Sequence, residues 1–204
     1  MEELDLVEEE VALGTVTLSI LRPRDSEALL DEAAFEREEF LPYWAELWPS
    51  GVALARHVAA LPLAGRRVLE LGCGLALPSI AAAAGGADVL ASDWAPDATA
   101  LVAENARRNG TRVETVLASW ADPDRLVARA PFDLVLVADV LYERRDGPLL
   151  LDLLPRLADE VLLADPGRPA APAFLDAART SWEAQTVHEE PPRLTIRRLT
   201  RCTR

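Results

Sequence analysis

Glycine and acidic residues cluster where two predicted strands end. The segment "ELGCGLALP", Glu70 to Pro78, overlaps the end of a short apolar run and contains Gly72 and Gly74. Glycines at such a place let the backbone turn tightly and approach a ligand where a Cβ would obstruct it. Asp93 ends the next apolar run, 21 residues after Gly72, and an acidic residue at this spacing can accept hydrogen bonds from ribose hydroxyls. Together the glycines and the acid predict a site for an adenosine-containing cofactor.

The residues around the glycines distinguish between two cofactors of this kind. A dinucleotide site uses the pattern G-x-G-x-x-G, but Leu77 stands at the third glycine position and Pro78 has no amide hydrogen to offer a phosphate. Glu70 would disfavour a pyrophosphate, and its carboxylate can accept from an ammonium group. S-adenosylmethionine, which carries an amino acid portion and no phosphate, suits the site better. A nicotinamide-dependent oxidoreductase is the less favoured alternative.

Five short apolar runs predict buried strands that alternate with helices. The runs are "RRVLELG", "ADVLASD", "RVETVLA", "FDLVLVAD" and "EVLLADP". Stretches rich in Ala and Leu, such as "LPSIAAAAGG" and "APDATALVAENARRNG", separate most of them. Continuous apolar strands with intervening helices are typical of a parallel sheet covered on both faces. Ligands bind such sheets beyond the carboxyl ends of the strands, which is where the glycines and acids lie.

The two ends of the chain depart from this rhythm. "SWEAQTVHEE" and "PPRLTIRRLT" predict an antiparallel hairpin at the sheet edge, and "EVALGTVTLSILRP" predicts an N-terminal hairpin around Gly14. "SEALLDEAAFEREEF" and "SGVALARHVAAL" predict helices capped by Ser26 and Ser50. We therefore expect a Rossmann-like, doubly wound α/β fold with a mostly parallel seven-stranded sheet. A single domain is expected over 1–204, with 1–40 as an extension and 41–204 as the core.

Composition restricts the class of partner. The net charge of −13 would repel phosphate backbones and anionic lipid, so neither a nucleic acid nor a membrane is expected to bind. The acidic runs Glu2–Glu10 and Asp31–Glu39 are interpreted as solvated faces, or more specifically as a surface for a basic protein. Two cysteines and two histidines predict neither a disulfide framework nor a metal site. A cytoplasmic protein, monomeric or weakly dimeric, is expected.

An aromatic stretch, "PYWAELWPSG" from Pro42 to Gly51, precedes the first strand of the core. It resembles the Trp-Pro-Ser/Gly segment of class I, seven-β-strand methyltransferases, in the protein lysine methyltransferase group called nicotinamide-N-methyltransferase-like. "VLELGCGLALPSI" is similar to the glycine loop of that group, "SDWAPDATALVAENARRN" to its acidic ribose loop with Asn105, and "ADVLYE" to its Asp-x-x-Tyr segment. "ADPGRP", Ala164 to Pro169, is similar to a segment of the methyltransferases that modify the electron-transfer flavoprotein β-subunit.

The resemblance, which runs from about Leu41 to the C-terminus, implies S-adenosylmethionine as cofactor. Ten residues are expected to contact it: Trp44, Trp48, Glu70, Gly72, Cys73, Gly74, Asp93, Trp94, Trp120 and Ala138. Glu70 and the glycines would hold its amino acid end, and Asp93 its ribose. Trp94 and Trp120 would lie near the sugar and adenine. Trp44 and Trp48 would either wall the methionine end, where aromatic faces suit a sulfonium cation, or simply pack against the sheet.

Asp139 and Tyr142 are expected to face the methyl acceptor. A lysine amine must lose a proton before it attacks, whereas a nearby carboxylate favours the ammonium form. We therefore assign Asp139 to binding and aligning a lysine, not to acting as a strong base. Arg168 is interpreted as either contacting the substrate or bracing its own loop.

Three functional hypotheses follow. The first is a methyltransferase that acts on a lysine side chain of a protein, which the acidic surface favours. The second is a methyltransferase that acts on a small-molecule amine, since the same cofactor site and a compact chain serve it equally. The third is a non-catalytic module of the same fold that only binds the cofactor.

Overall fold

Nine strands and six α-helices are found in residues 4–29 and 42–202, the part of the chain that the computed structural model describes. The strands are β1 (Leu6–Ala12), β2 (Thr17–Pro23), β3 (Arg67–Leu71), β4 (Asp88–Asp93), β5 (Glu114–Leu117), β6 (Leu134–Ala138), β7 (Glu160–Asp165), β8 (Trp182–Glu190) and β9 (Leu194–Arg201). The helices are α1 (Pro49–Ala59), α2 (Leu77–Ala84), α3 (Pro96–Arg108), α4 (Asp124–Val127), α5 (Asp146–Leu157) and α6 (Ala171–Ala178). None of these helices has the length and apolar character needed to cross a membrane.

Seven strands form the central sheet in the order β5-β4-β3-β6-β7-β9-β8. Strands β3 to β7 pair in parallel, whereas β9 runs antiparallel to both β7 and β8. The mostly parallel sheet and its C-terminal hairpin confirm the fold expected from the sequence. The chain winds outward from β3 through β4 to β5 and then returns to β6 on the other side. The crevice between β3 and β6 is therefore the switch point at which such sheets bind ligands.

Successive residues of the inner strands enter two separate cores because their side chains alternate between the faces of the sheet. Val68 of β3 packs with α1, α2, α3 and the N-terminal hairpin, while its neighbour Leu69 packs with α4, α5 and α6. Leu134 and Val135 of β6 divide in the same way. Both faces of β3 and β6 are buried, which explains why their buried positions are apolar apart from Glu70. Packing on both faces also holds the carboxyl ends of the two strands side by side.

The N-terminal hairpin is fixed to the core by two asparagines of α3. Asn105 is fully buried, and its amide accepts from the Leu21 backbone N–H at 2.7 Å and donates to the Leu21 carbonyl at 3.0 Å. One turn later, Asn109 makes the same pair of bonds with Ser19, at 2.9 and 2.8 Å. These side chains satisfy the edge of β2 that does not pair with β1, and so replace a third strand.

Neither predicted serine cap is observed. Pro49 opens α1, where its missing amide hydrogen and fixed φ suit the first helical position. Ser50 therefore lies inside the first turn, and its hydroxyl donates to Asp139 instead, at 3.3 Å. Asp25, not Ser26, accepts from the amides that open the short 3-10 turn Glu27–Leu29. The rest of the helix predicted over 26–40, and the acidic run within it, lie outside the described residues.

Replacing Asn105 tests how the hairpin is attached. Asn105→Ala removes a fully buried amide and leaves the N–H and C=O of the half-buried Leu21 without partners. We therefore expect a loss of about 2 to 4 kcal/mol in the free energy of unfolding, measured by urea denaturation. Asn109→Ala is the matched control, because water can reach its half-buried site, and it should cost about 1 kcal/mol. Equal losses in the two variants would contradict the proposed anchoring role of Asn105.

Candidate active site

A pocket opens beyond the carboxyl ends of β3, β4 and β6. All twelve residues expected to contact cofactor or acceptor line it: Trp44, Trp48, Glu70, Gly72, Cys73, Gly74, Asp93, Trp94, Trp120, Ala138, Asp139 and Tyr142. The aromatic segment before α1 reaches this place from the other end of the sequence. The structure thus brings the predicted set together, although placement alone does not assign their roles.

The glycine loop after β3 has a backbone that only glycine accommodates easily. Gly72 and Gly74 have φ values of +63° and +49°. A Cβ at Gly72 would meet the Trp120 ring at 3.2 Å, and one at Gly74 would meet the Trp44 carbonyl oxygen at 3.1 Å. The loop is therefore pressed between two aromatic residues, and the pocket floor is formed by backbone. Cys73 between the glycines is buried, where a small side chain is required.

Glu70 places a carboxylate in the pocket wall. It is 2% exposed, and one of its oxygens accepts from both the Ser79 amide, at 2.9 Å, and the Ser79 hydroxyl, at 2.5 Å. Burial raises the pKa of Glu70 to about 8, since the bonds from Ser79 offset only part of the cost of desolvating the charge. A cation in the pocket would favour the ionised form. The side chain can thus hold an ammonium group.

Asp93 ties the end of β4 to the glycine loop. One carboxylate oxygen accepts from the Gly74 amide at 2.9 Å and the other from the Ala95 amide at 3.0 Å. Burial raises the pKa of Asp93, although these amides lower it. The Trp94 amide lowers the pKa of Asp93 in the same way. The carboxylate has four lone pairs, so it can still accept from a hydroxyl. The neighbouring Trp94 is largely exposed at the pocket rim.

Three aromatic rings form the mouth of the pocket. Tyr43 packs edge-on against Trp48 and Tyr142, with ring centroids 5.9 and 5.4 Å apart. The indole N–H of Trp48 donates to the Tyr43 carbonyl at 2.7 Å, which fixes the ring orientation. Tyr43 and Tyr142 are 38% and 36% exposed, so an apolar rim meets solvent here. Burial raises the pKa of the Tyr142 hydroxyl, with the negative charge of Asp146 second, so Tyr142 stays protonated at neutral pH.

Asp139 stands at the deep side of this mouth in a conformation that L-residues rarely adopt. Its φ is +57°, in the left-handed region that aspartate tolerates better than most side chains, while its amide still donates to the Ala164 carbonyl at 2.9 Å. Arg168 grips the carboxylate with two bonds, Nε to Oδ1 at 2.6 Å and Nη2 to Oδ2 at 3.0 Å. Asp139 is therefore a paired charge, and not merely a cap for the following turn.

Asp165 at the end of β7 fixes the turn from which Arg168 reaches this carboxylate. One of its oxygens accepts from the amides of Gly167, at 2.8 Å, and Arg168, at 3.0 Å. Gly167 has a φ of +87° and lies against Arg193, whose Cβ would be only 3.0 Å from an added methyl. The "ADPGRP" segment is thus a turn closed around Asp165 whose last residues present Arg168 to the pocket. The side chain of Arg168 bonds to Asp139, a partner that neither sequence interpretation of Arg168 named.

Sequence reasoning missed two residues of the site, Tyr43 and Ser79, and the partner of a third, Arg168. Tyr43 lies within the quoted aromatic stretch but received no role, and Ser79 and Arg168 were not given their carboxylate partners. The charged groups of the pocket are carboxylates and one guanidinium, and no three His, Cys, Asp or Glu side chains of residues 4–29 and 42–202 are grouped to hold a metal ion. The arrangement can bind cations and align a nucleophile.

Substituting Gly74 tests whether the glycine loop requires a residue without a side chain at this position. Gly74→Ala combines a left-handed backbone with a clash against the Trp44 carbonyl, so we expect it to lower the free energy of unfolding by about 2 to 4 kcal/mol in denaturant titration. Gly110→Ala is the control, because Gly110 has a similar φ of +66° but nothing within 4 Å of an added Cβ. It should cost only about 1 to 2 kcal/mol. If the two variants lose the same free energy, the contact with Trp44 does not constrain the loop.

Two solved methyltransferases share this fold. A Thermus thermophilus 16S rRNA N2 G1207 methyltransferase, solved with AdoMet and guanosine, superposes with a TM-score of 0.69 over 97% of this chain and 51% of its own, at 13% identity. A TehB-like SAM-dependent methyltransferase from Corynebacterium glutamicum covers 87% of this chain and 98% of its own, with a TM-score of 0.58 and 18% identity. At these identities the likeness is one of fold.

Sequence relatives are closer. An electron transfer flavoprotein beta subunit lysine methyltransferase of Xenopus laevis is 38% identical over 136 residues, which are 62% of this chain and 53% of the relative. The chain thus spans about half the length of that relative. A protein N-lysine methyltransferase METTL21A of Danio rerio is 32% identical over 161 residues, 73% of each protein.

The sequence profile of lysine methyltransferases matches residues 41–164, more than half of the chain. This stretch contains the aromatic segment, the glycine loop, Asp93, Asp139 and Tyr142. Methyltransferases of this kind use S-adenosylmethionine, which confirms the cofactor expected from the sequence. The chain belongs to the lysine methyltransferase family.

Proposed function

We propose that this protein transfers a methyl group from S-adenosylmethionine to the side-chain amine of a lysine in another protein. The observation that carries the proposal is the continuity of the pocket. It is lined at one end by Glu70 and Asp93 and at the other by Asp139 and the exposed rings of Tyr43 and Tyr142. One cavity therefore joins a site for a cation-bearing nucleoside to an apolar mouth that a long, unbranched side chain can enter.

The residues present fit the cofactor. Glu70 is a buried carboxylate whose raised pKa marks a site prepared for a positive group, and the glycine loop leaves its backbone open where side chains would intrude. Asp93 can still accept from a ribose hydroxyl. Trp44 and Trp48 offer aromatic walls suited to a sulfonium. We assign these residues to the cofactor, together with Cys73, Trp94, Trp120 and Ala138 along the same wall.

When bound, S-adenosylmethionine supplies a methyl carbon whose bond to sulfur breaks as the lysine nitrogen bonds to it, the sulfur keeping the electron pair. Alignment and exclusion of water can then supply much of the rate. Tyr43, Trp48 and Tyr142 line the lysine stem and keep solvent out. Asp139, held in place by Arg168 and Ser50, accepts a hydrogen bond from the amine and points its lone pair at the carbon.

The protein substrate is proposed from three features. The rings at the mouth are apolar and partly exposed, which suits a side chain presented on a macromolecular surface. Relatives named electron transfer flavoprotein beta subunit lysine methyltransferases, and the "ADPGRP" segment, make that flavoprotein subunit the first candidate. The net charge of −13 favours a basic protein over nucleic acid or an anionic membrane, and we infer a cytoplasmic location. A small-molecule amine remains the second candidate, since the same pocket admits it.

Labelled methyl transfer tests the proposal. Incubation with methyl-labelled S-adenosylmethionine and a host lysate, or with purified electron-transfer flavoprotein β-subunit, is expected to label protein on lysine. Asp139→Asn should lower turnover about 100-fold through misalignment of the amine, while affinity for S-adenosylhomocysteine changes little. Asp176→Asn, on the exposed face of α6, is the matched control and should behave as wild type. Label found only in small molecules would favour the second candidate, and tight cofactor binding with no transfer a non-catalytic module.

Glu70 makes cofactor binding depend on pH. With its pKa near 8, Glu70 is mostly protonated at pH 6. Because an ammonium group binds the ionised carboxylate, Glu70 must lose its proton when the ligand binds. Affinity for S-adenosylhomocysteine should therefore rise between pH 6 and 7.5, by up to about tenfold per pH unit, with proton release detectable calorimetrically in buffers of different ionisation enthalpy. In Glu70→Gln the affinity should be lower and nearly flat with pH. A flat profile in the wild type would refute this role.

A further inference from the structure

The Asp139 carboxylate is ion-paired with the guanidinium of Arg168 before any acceptor binds. Arg168 occupies both carboxylate oxygens, and its guanidinium also lies 5.8 Å above the Trp48 ring. The hydrogen bond to Asp139 raises the pKa of Arg168 further, so the cation persists at every working pH. A lysine that enters between the aromatic rings thus meets a neutral ion pair instead of a lone negative charge.

We propose that Arg168 is a positioning residue that selects the uncharged form of the acceptor amine. The inference rests on the function proposed above and deepens it. A lone carboxylate would stabilise the lysine ammonium, which has no lone pair to attack with. The Asp139–Arg168 pair removes that preference, and the guanidinium repels an ammonium beside it. The lysine therefore gives its extra proton to solvent as it enters.

The geometry leaves Asp139 able to orient that amine. Each carboxylate oxygen accepts through two lone pairs, and Oδ1 takes one bond from Arg168, while Oδ2 takes bonds from Arg168 and Ser50. Oδ1 thus keeps one acceptor position, which suits a single N–H of a neutral amine. The nitrogen lone pair then forms the new bond to carbon as the bond from carbon to sulfur breaks. The product leaves as the methylated ammonium, and the one proton released in the reaction is the one that the lysine lost on entry.

Other titratable groups face this pair from each element packed against it. Asp165 of β7 acts on both Asp139 and Arg168, and Arg197 of β9 acts on Asp165. Burial raises the pKa of Asp165, and the positive charge of Arg197 opposes that rise. Tyr43 is the phenol that acts on Arg168. Beyond it are Tyr142 and the carboxylates that act on Tyr142: Asp146, Glu143 and Asp93.

The pH profile of methyl transfer tests Arg168. In Arg168→Gln the unpaired Asp139 should hold the acceptor as ammonium, so the rise of kcat with pH should move up by about one pH unit or more, while KM for the protein substrate falls at pH 7. Arg168→Lys keeps the charge and should stay near the wild-type profile. Arg179→Gln, which loses an exposed ion pair on the surface, is the control. A uniform gain in turnover at every pH would mean that Arg168 merely plugs the mouth, and would overturn the proposal.

A binding experiment makes the test independent of the protein substrate. n-Butylamine, which ends as a lysine side chain does, is titrated by NMR into the complex with S-adenosylhomocysteine. Apparent affinity should rise about tenfold per pH unit from pH 7 to 8.5 in the wild type, because only the neutral fraction binds, and should stay nearly constant in Arg168→Gln. The same pH dependence in both proteins, or binding by neither, overturns the inference. If butylamine behaves as expected but no protein is labelled, the proposed function fails and the role of Arg168 stands.

Discussion

Burial of negative charge is the constraint on which the site depends. Each of four adjacent parallel strands places one carboxylate at or near its carboxyl end: Glu70, Asp93, Asp139 and Asp165. All four are almost fully buried, and a buried charge is costly unless it is paired or hydrogen-bonded. The surrounding loops are shaped by the need to supply partners.

Each carboxylate meets this requirement differently, and the difference determines its chemistry. Asp93 accepts from an amide of the loop that follows it and from the Gly74 amide of the glycine loop. One oxygen of Asp165 accepts from two amides of the next turn, while its other oxygen is buried and has no partner within residues 4–29 and 42–202. Both carboxylates thereby shape the backbone around them. Glu70 has only Ser79 and keeps a raised pKa, which prepares it for a cation from outside. Asp139 has a full counter-ion in Arg168 and can contact a neutral group without losing its compensation. The same requirement, a partner for a buried carboxylate, is thus met in three ways: by backbone amides, by a serine and by a guanidinium.

Local patterns were enough to predict most of the fold. The buried positions of β3 and β6 are apolar apart from Glu70, because both faces of the sheet are covered there. The glycines at 72 and 74 indicate a backbone that side chains would obstruct. Those signals lie within a few residues of the feature they describe. The prediction for Ser50 is wrong because it uses the serine and neglects its neighbour. A serine before an apolar helix predicts a cap, but here the preceding Pro49 takes the first helical position.

The pairings within the site could not be predicted because they join distant residues. Arg168 meets Asp139 across 29 positions of sequence, and only the turn around Asp165 brings them together. Ser50 reaches the same carboxylate from 89 positions away. Tyr43 becomes part of the site because it packs against Tyr142, which follows β6 about 100 positions later in the sequence. In each case the local sequence shows the residue type, but the residue that it contacts is known only from the fold.

The attachment of the N-terminal hairpin carries a different consequence. Asn105 and Asn109 bond to the peptide groups of Leu21 and Ser19, not to their side chains. Because these bonds go to backbone groups, they do not depend on which side chains stand at positions 19 and 21. The helix can therefore keep the ribbon in place while the outward-facing side chains of the ribbon change freely, so that this part of the surface can acquire new shapes and charges without disturbing the catalytic core.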